Sequence, residues 1–374
     1  CLMIRRPPRS TQSRSSAASD VYKRQVVKSS KKYTIIIDKG ILSETYERIQ
    51  PVLKGSIVYI VTDDIVDSLY GSVLADSFKN SGIHAYKYVI PNGEISKNSD
   101  NYISILNDMA NKGISRSDTL IAFGGGVPGD LGGFAAATYQ RGISLIQIPT
   151  TLLAAVDSSV GGKTAIDLKE GKNLAGAFYQ PDMVICDLSL MNTLPDIVFK
   201  DGCAEVIKYG ILSGNPLFEQ IRKPIKKNIE SIVYRCIKIK RDLVQKDEKD
   251  TGIRQLLNLG HTVAHAIELL SGYTISHGAA VAKGLHLVTK ISYTQGICPK
   301  EVFTQINDIL NIYGFNTDSL YSAKDIANAI IMDKKRSNEY INLILIEDIG
   351  KCAIKKTNMA DLDSMIQKAM DYRG

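Results

Sequence analysis

The strongest constraint on this chain is a change of hydrophobic period near its middle. From about Lys31 to Leu190, short β-branched runs alternate with longer, polar-mixed stretches. TIIID, SIVYIVTD, AYKYVIP, TLIAFGGG, SLIQIPTT and DMVICDL read as strands, and NSDNYISILNDMANKG as one of the helices between them. Such alternation implies a largely parallel sheet covered on both faces. From about Met191 apolar residues recur at three- and four-residue spacing, in PDIVFKDGCAEVIKYGILSG, PLFEQIRKPIKKNIESIVYRCIKIKRDLV and HTVAHAIELLSG. A late INLILIEDIGKCAIKK reads as a hairpin. The expected fold is an α/β, Rossmann-like domain with a parallel sheet over residues 31–190 and a mostly α-helical domain over 191–374. A chain of 374 residues suits two domains, and ligands favour the cleft between them.

The formal charge of +7 sits at one end. Residues 1–32 hold nine of the 46 Lys and Arg but one of the 39 Asp and Glu, so the remainder is close to neutral. That argues against a nucleic-acid surface on the folded part. Residues 1–30 are rich in Ser and Arg without apolar periodicity. They resemble translated adapter sequence and are expected to be a disordered, non-native extension. No apolar run reaches membrane-helix length. Six cysteines lie scattered without a CxxC pair, which fits reduced thiols in a cytoplasmic protein.

TLIAFGGGVPGDLGGF combines a strand, a glycine turn and a helix start. Gly124, Gly125 and Gly126 admit close approach of a ligand, and the helix N–H groups behind them favour an anion such as a pyrophosphate. Asp130 follows near the helix start. VTDD ends a strand at Asp63, where a carboxylate suits either ribose hydroxyls or a helix N-cap. PNGEISK places Glu94 and Lys97 on the next strand-to-helix turn. Lys163 after two glycines, and Lys172–Asn173 after Gly171, read as two loops that grip a phosphate.

Four of the five histidines fall between positions 261 and 286. His261 and His265 stand four apart, a spacing that puts both on one helix face and can chelate zinc. The glutamate of HExxH is missing, which argues against a protease. Glu205 lies on an apolar helix and needs a partner, either a metal or a basic side chain. His84 and His286 read as structural.

GGGVPGDLGGF, RGISLIQIPTTLLAAVDSSVGGKTAID, GKNLAGAFYQP, AEVIKYG, GIRQLLNLGHTVAHAIE and SHGAAVAKG, in this order, resemble the 3-dehydroquinate synthase family over about residues 31–374. Asn173 and His265 favour that branch over its cyclitol-forming relatives. The resemblance implies a lyase of the shikimate pathway that uses NAD and a divalent metal, zinc or alternatively cobalt. Its implied substrate is a sugar phosphate, 3-deoxy-D-arabino-heptulosonate 7-phosphate. It implies Glu205, His261 and His277 as metal ligands, which frees His265 to move a proton. It implies Lys163, Asn173, Asn258 and one lysine of the pair Lys334 and Lys335 at the phosphate, with Arg141 reaching across a homodimer interface. Arg254 and Lys240 would hold the carboxylate, and Asp157 and Lys208 the ring hydroxyls. Asp63, Glu94, Lys97, Gly125, Gly126, Asp130, Thr150, Thr151 and Lys172 would hold NAD. Four positions depart from the family's usual residues. Pro128 interrupts the glycine turn, Ala279 replaces a Glu after His277–Gly278, Lys283 replaces a small or apolar residue, and Asp250 replaces a Glu.

Overall fold

The computed structural model describes residues 23–334 and 339–372. A seven-stranded sheet dominates the first half. Its strands are β1 (Lys23–Lys28), β2 (Lys32–Asp38), β3 (Ile57–Asp63), β4 (His84–Ile90), β5 (Thr119–Gly124), β6 (Ser144–Pro149) and β9 (Met183–Asp187), in the order β1-β2-β9-β6-β5-β3-β4. β1 pairs with β2 antiparallel, and the other neighbours are parallel. All six runs read as strands lie in this sheet. Side-chain alternation divides the core. Val58 and Ile60 face one layer with Ile121, Phe123 and Ile148. Tyr59 and Val61 face the other, with Leu120, Leu131 and Ala135.

Two expectations change here. The segment 23–28, expected to be disordered, is β1: Gln25 and Val27 point inward, and Gln25 Nε2 donates to Tyr234 O at 2.8 Å. Its two inward residues make too short an apolar pattern to stand out in sequence. Second, the two lysine-bearing loops form one antiparallel hairpin, β7 (Lys163–Leu168) and β8 (Gly171–Phe178). Gly and Asn at its tight positions made strand look like loop. Lys335 and residues 1–22 lie outside the described residues.

From residue 196 helices dominate: α3 (Asp196–Ser213), α4 (Ile229–Lys246), α5 (His261–Leu270), α6 (His277–Thr294), α7 (Lys300–Ile312), α8 (Ala323–Lys334) and α9 (Leu362–Asp371). They follow α1 (Ser99–Asn111) and α2 (Gly126–Thr138) of the sheet region. The late hairpin forms as expected, β10 (Tyr340–Asp348) with β11 (Lys351–Asn358). The helical core also takes in Ile35, Ile37, Val184 and Cys186 of β2 and β9. The helices therefore rest directly on the sheet. No described helix is long and apolar enough to cross a membrane.

Two glycines set how closely α5 and α6 approach. Gly260 starts α5 with φ of +78°, a left-handed value that suits glycine. A Cβ on Gly284 of α6 would lie 2.1 Å from Gly260 O. Gly284→Ala must therefore push the two helices apart. It is expected to cost about 1–3 kcal/mol in urea unfolding despite alanine's better helix propensity. A stability equal to the parent would show that the contact relaxes freely.

Candidate metal and cofactor site

Three helices converge on one carboxylate. Asp201 and Glu205 lie one turn apart on α3, so they share a face. Asp201 accepts from Ser276 Oγ at 2.6 Å and from the Ala279 backbone N–H, which caps α6 where His277 begins it. Gly278 allows this approach, since a Cβ there would lie 2.3 Å from Asp201 Cα. Glu205 is fully buried. Its Oε1 lies 3.2 Å from both His261 Nε2 and His277 Nε2, and its Oε2 lies 2.5 Å from Lys208 Nζ. Burial disfavours its charge, yet Lys208 and His261 prevail and hold its carboxyl well below the usual carboxylate range.

Glu205, His261 and His277 offer three ligand atoms within 4.8 Å of one another. Zinc bonds of roughly 2.0–2.1 Å at tetrahedral angles separate ligand atoms by about 3.3 Å. The observed 3.2 Å spacings match that value. The two-nitrogen, one-oxygen donor set also suits zinc with an open position. His265 is outside this group; its ring centroid lies 5.8 Å from that of His261, and its side chain lines the adjoining cavity. Chain spacing had paired His261 with His265. The fold instead supplies His277 from a second helix.

The nitrogens that face away from the cluster are also held. His261 Nδ1 lies 3.1 Å from Leu259 O. His277 Nδ1 faces Glu268 Oε1 at 3.6 Å. Burial opposes a charged His277, but Glu205 and Glu268 outweigh it and raise its pKa to about 10. Glu268 escaped the sequence reading. It sits seven residues after His261 on α5, the same face after two turns, and that spacing was the available signal.

A cavity of about 730 Å³ adjoins the cluster, lined by Asp250, Asn258, His261, His265, Tyr340 and Lys356 among others. Lys356 of β11 was not foreseen; its neighbours in chain gave no motif. Asp157 is the hub of the neighbouring charges. Its Oδ1 accepts from Tyr209 Oη and lies 3.0 Å from Lys240 Nζ and 3.8 Å from Lys208 Nζ. Lys163, at the start of β7, is half exposed and pairs with Asp250. Arg254 is buried; Nη1 donates to Glu248 O at 2.6 Å and Nη2 to Gly161 O at 3.0 Å. Its Nε is buried without a hydrogen-bond partner among the described residues. Arg141 precedes β6 and Thr150 follows it, so Arg141 occupies the opposite end of that strand.

The NAD candidates gather where β3 connects one way across the sheet and β5 the other, outside the strands' carboxyl ends, where α/β sheets bind ligands. Asp63 ends β3 and accepts from Val66 N at 2.9 Å, the N-cap role open to it in sequence. Its Oδ2 also lies 3.3 Å from the point a Gly124 Cβ would occupy, so the carboxylate overlooks the glycine turn. Lys97 bonds Asp130 at 2.7 Å and Asn173 Oδ1 at 2.5 Å, with Glu94 at 3.7 Å. Thus Asn173 is drawn toward this cluster. Lys172 reaches Glu94 at 3.8 Å and Glu268 at 3.2 Å. A cofactor fits here on two counts. A Gly125 Cβ would lie 3.2 Å from Thr151 Cγ2, so the turn leaves open a cradle that a side chain would fill. Thr150 Oγ1 is buried without a hydrogen-bond partner among the described residues. Pro128 falls in the first turn of α2, where a backbone N–H has no helical acceptor. It leaves the helix intact and the Gly126 and Val127 N–H groups available.

Fold and site thus define an α/β-plus-helical protein with a three-ligand cluster of the kind that holds a divalent cation. The chain belongs to the 3-dehydroquinate synthase family. That family's N-terminal domain matches residues 87–201 and its C-terminal domain residues 202–336. The 3-dehydroquinate synthase of Clostridium botulinum (strain Alaska E43 / Type E3) is 44% identical over 336 residues, covering 88% of this chain and 96% of that protein. A solved 2-deoxy-scyllo-inosose synthase, complexed with carbaglucose-6-phosphate, NAD+ and Co2+, superposes with a TM-score of 0.83 at 24% identity, covering 92% of this chain and 99% of its own. The 2-epi-5-epi-valiolone synthase of Streptomyces hygroscopicus subsp. jinggangensis 5008, with NAD+ and Zn2+ bound, gives 0.82 at 20% identity, covering 94% and 99%. These two likenesses concern the fold.

Glu205→Gln is expected to abolish tight zinc uptake, because it removes the one anionic ligand. Metal content after dialysis measures it, and full retention of zinc by the variant would refute the cluster as the site.

Proposed function

We propose that this chain converts 3-deoxy-D-arabino-heptulosonate 7-phosphate into 3-dehydroquinate and phosphate, as a carbon–oxygen lyase of the shikimate pathway. The observation that carries this reading is the convergence of Glu205, His261 and His277 beside a cavity of about 730 Å³, in a chain of this family. In this reading residues 31–190 hold NAD and residues 191–374 the metal and most of the substrate.

Bound NAD supplies a transient hydride acceptor for one ring hydroxyl. Bound zinc or cobalt supplies a Lewis acid that lowers that hydroxyl's pKa. Asp63, Glu94, Lys97, Asp130, Lys172, Thr150, Thr151 and the Gly125–Gly126 turn would hold the first; Glu205, His261 and His277 would hold the second. Asp157 and Lys208, fixed to each other and to Glu205, orient the ring hydroxyls. His265 stands on the cavity wall and moves a proton at its imidazole. Oxidation of a hydroxyl to a ketone acidifies the neighbouring C–H, so phosphate leaves by elimination. Lys163, Asn258, Asn173 and one of Lys334 and Lys335 would grip that phosphate. Return of the hydride taken in the first step would reduce the ketone again, and the enol pyranose would then open and close as an aldol. Holding all partners in one site replaces successive encounters, an effect of roughly 7–11 kcal/mol when geometry is good. Arg254 and Lys240 hold the carboxylate. Arg141 lies at the far end of its own sheet, so a phosphate contact requires a second copy, consistent with a homodimer. The described cysteines are unpaired, which suits a cytoplasmic enzyme.

Phosphate release without net NADH, abolished by a chelator, is the expected outcome of a turnover assay. Accumulating NADH would indicate a polyol dehydrogenase, and full turnover by Arg254→Ala would sink the carboxylate assignment.

Burial, against the opposing pull of Asp157 and with Arg254 and Lys208 adding to it, lowers the pKa of Lys240 to about 8. The ammonium that attracts the substrate carboxylate is thus present below pH 8 and lost above it. Accordingly, kcat/KM should fall as pH rises through about 8, and Lys240→Arg should move that limb upward. An unmoved limb would assign it to another group.

A further inference from the structure

We propose that Glu268 is the positioning carboxylate of the metal site: it holds the ring of His277 by Nδ1 so that Nε2 meets the ion. This step rests on the Glu205–His261–His277 triad proposed above.

Metal-ligating histidines need their second nitrogen anchored, because the anchor sets both tautomer and ring direction. His261 has such an anchor in Leu259 O at 3.1 Å. The group facing His277 Nδ1 is Glu268 Oε1, at 3.6 Å, within reach of a small side-chain rotation. His277 begins α6 as His261 begins α5, so helix position alone fixes neither ring and each needs its own anchor.

Glu268 is well placed to do this. It is 3% exposed, on α5, the same helix as His261. A buried carboxylate needs partners, and those of Glu268 include His277 and Lys172 Nζ at 3.2 Å. Lys172 comes from β8, in the other half of the molecule, and also faces Glu94 at 3.8 Å and the Tyr273 ring at 4.7 Å. Glu268 therefore serves either as an orienting group for His277 or only as an ion-pair partner that ties the hairpin to α5. The two roles separate experimentally. Orientation acts on the ion through His277, whereas the ion pair acts on the docking of the hairpin.

The test is zinc affinity of the metal-free full chain, by competition with a chromophoric chelator, alongside its melting temperature. Glu268→Gln keeps the shape and removes the charge, and Glu268→Ala removes the acceptor. Both should weaken zinc binding by about 10–100-fold, Ala more than Gln, and any fall in the metal-free melting temperature that comes from the ion pair should be shared by Lys172→Met. Lys172→Met should leave zinc affinity equal or tighter, because Glu268 then has His277 to itself. If Lys172→Met weakens zinc as much as Glu268→Gln, the ion pair matters and the proposal is overturned. Parent-like affinity in both Glu268 variants overturns it too, while leaving the triad standing. Failure of the parent chain to bind zinc would overturn the triad and this proposal together, a separate signature.

Discussion

The structure depends on keeping one carboxylate charged inside the protein. Glu205 is fully buried, and removing a bare carboxylate from water costs several kcal/mol unless charge and hydrogen bonds replace the water. Here the compensation comes from Lys208 on its own helix and from two histidines on two other helices. Those partners fix how α3, α5 and α6 pack. Asp201 strengthens the arrangement by capping α6 from α3. Lys208 also faces Asp157, whose other partners are Lys240 and Tyr209, so one electrostatic network runs from the metal cluster into the proposed substrate region.

The sheet supplies the second half of the site by a different principle. Parallel strands joined by crossovers end on one side, so Asp63, Glu94, the glycine turn and Thr150 gather without contacting each other in sequence. Apolar packing of β2 and β9 against the helices joins the two halves, and polar contacts link them at the site. Lys172 of β8 reaches Glu268 of α5, while its neighbour Asn173 accepts from Lys97. A strand pair that sequence showed as two loose loops is thus a rigid link between the cofactor side and the metal side. A pair of antiparallel strands can hold two adjacent residues to different partners, which independent loops cannot do reliably.

Legibility in sequence tracked the strength of the local pattern. β2, β3, β5, β6 and β9 are buried runs of branched apolar residues, a pattern strong enough to be read as strand without its partners. β1 offers two inward residues, and β7–β8 is built from Gly, Lys, Asn and Ala, so pairing rather than propensity makes them strands. The histidine cluster was visible from composition alone. Its division into candidate ligands and His265 came only through the family resemblance, because helix spacing favours the intrahelical pair His261 and His265. Glu268 and Lys356 went unread because each matters only through a neighbour far away in the chain.

Sequence by itself determined that the first half builds a parallel sheet with a glycine turn at a strand end, and that the second half is helical. Both follow from periodicity, which is local physics. Motif order carried the family and, through it, the identity of the triad. Tertiary structure decided which nitrogen meets which carboxylate. It brought His277 beside Glu205, left His265 on the cavity wall, and set Glu268 behind His277. Those choices depend on helix approach, controlled by Gly260, Gly278 and Gly284, and on the need to satisfy buried charge. Neither is a property of any segment taken alone.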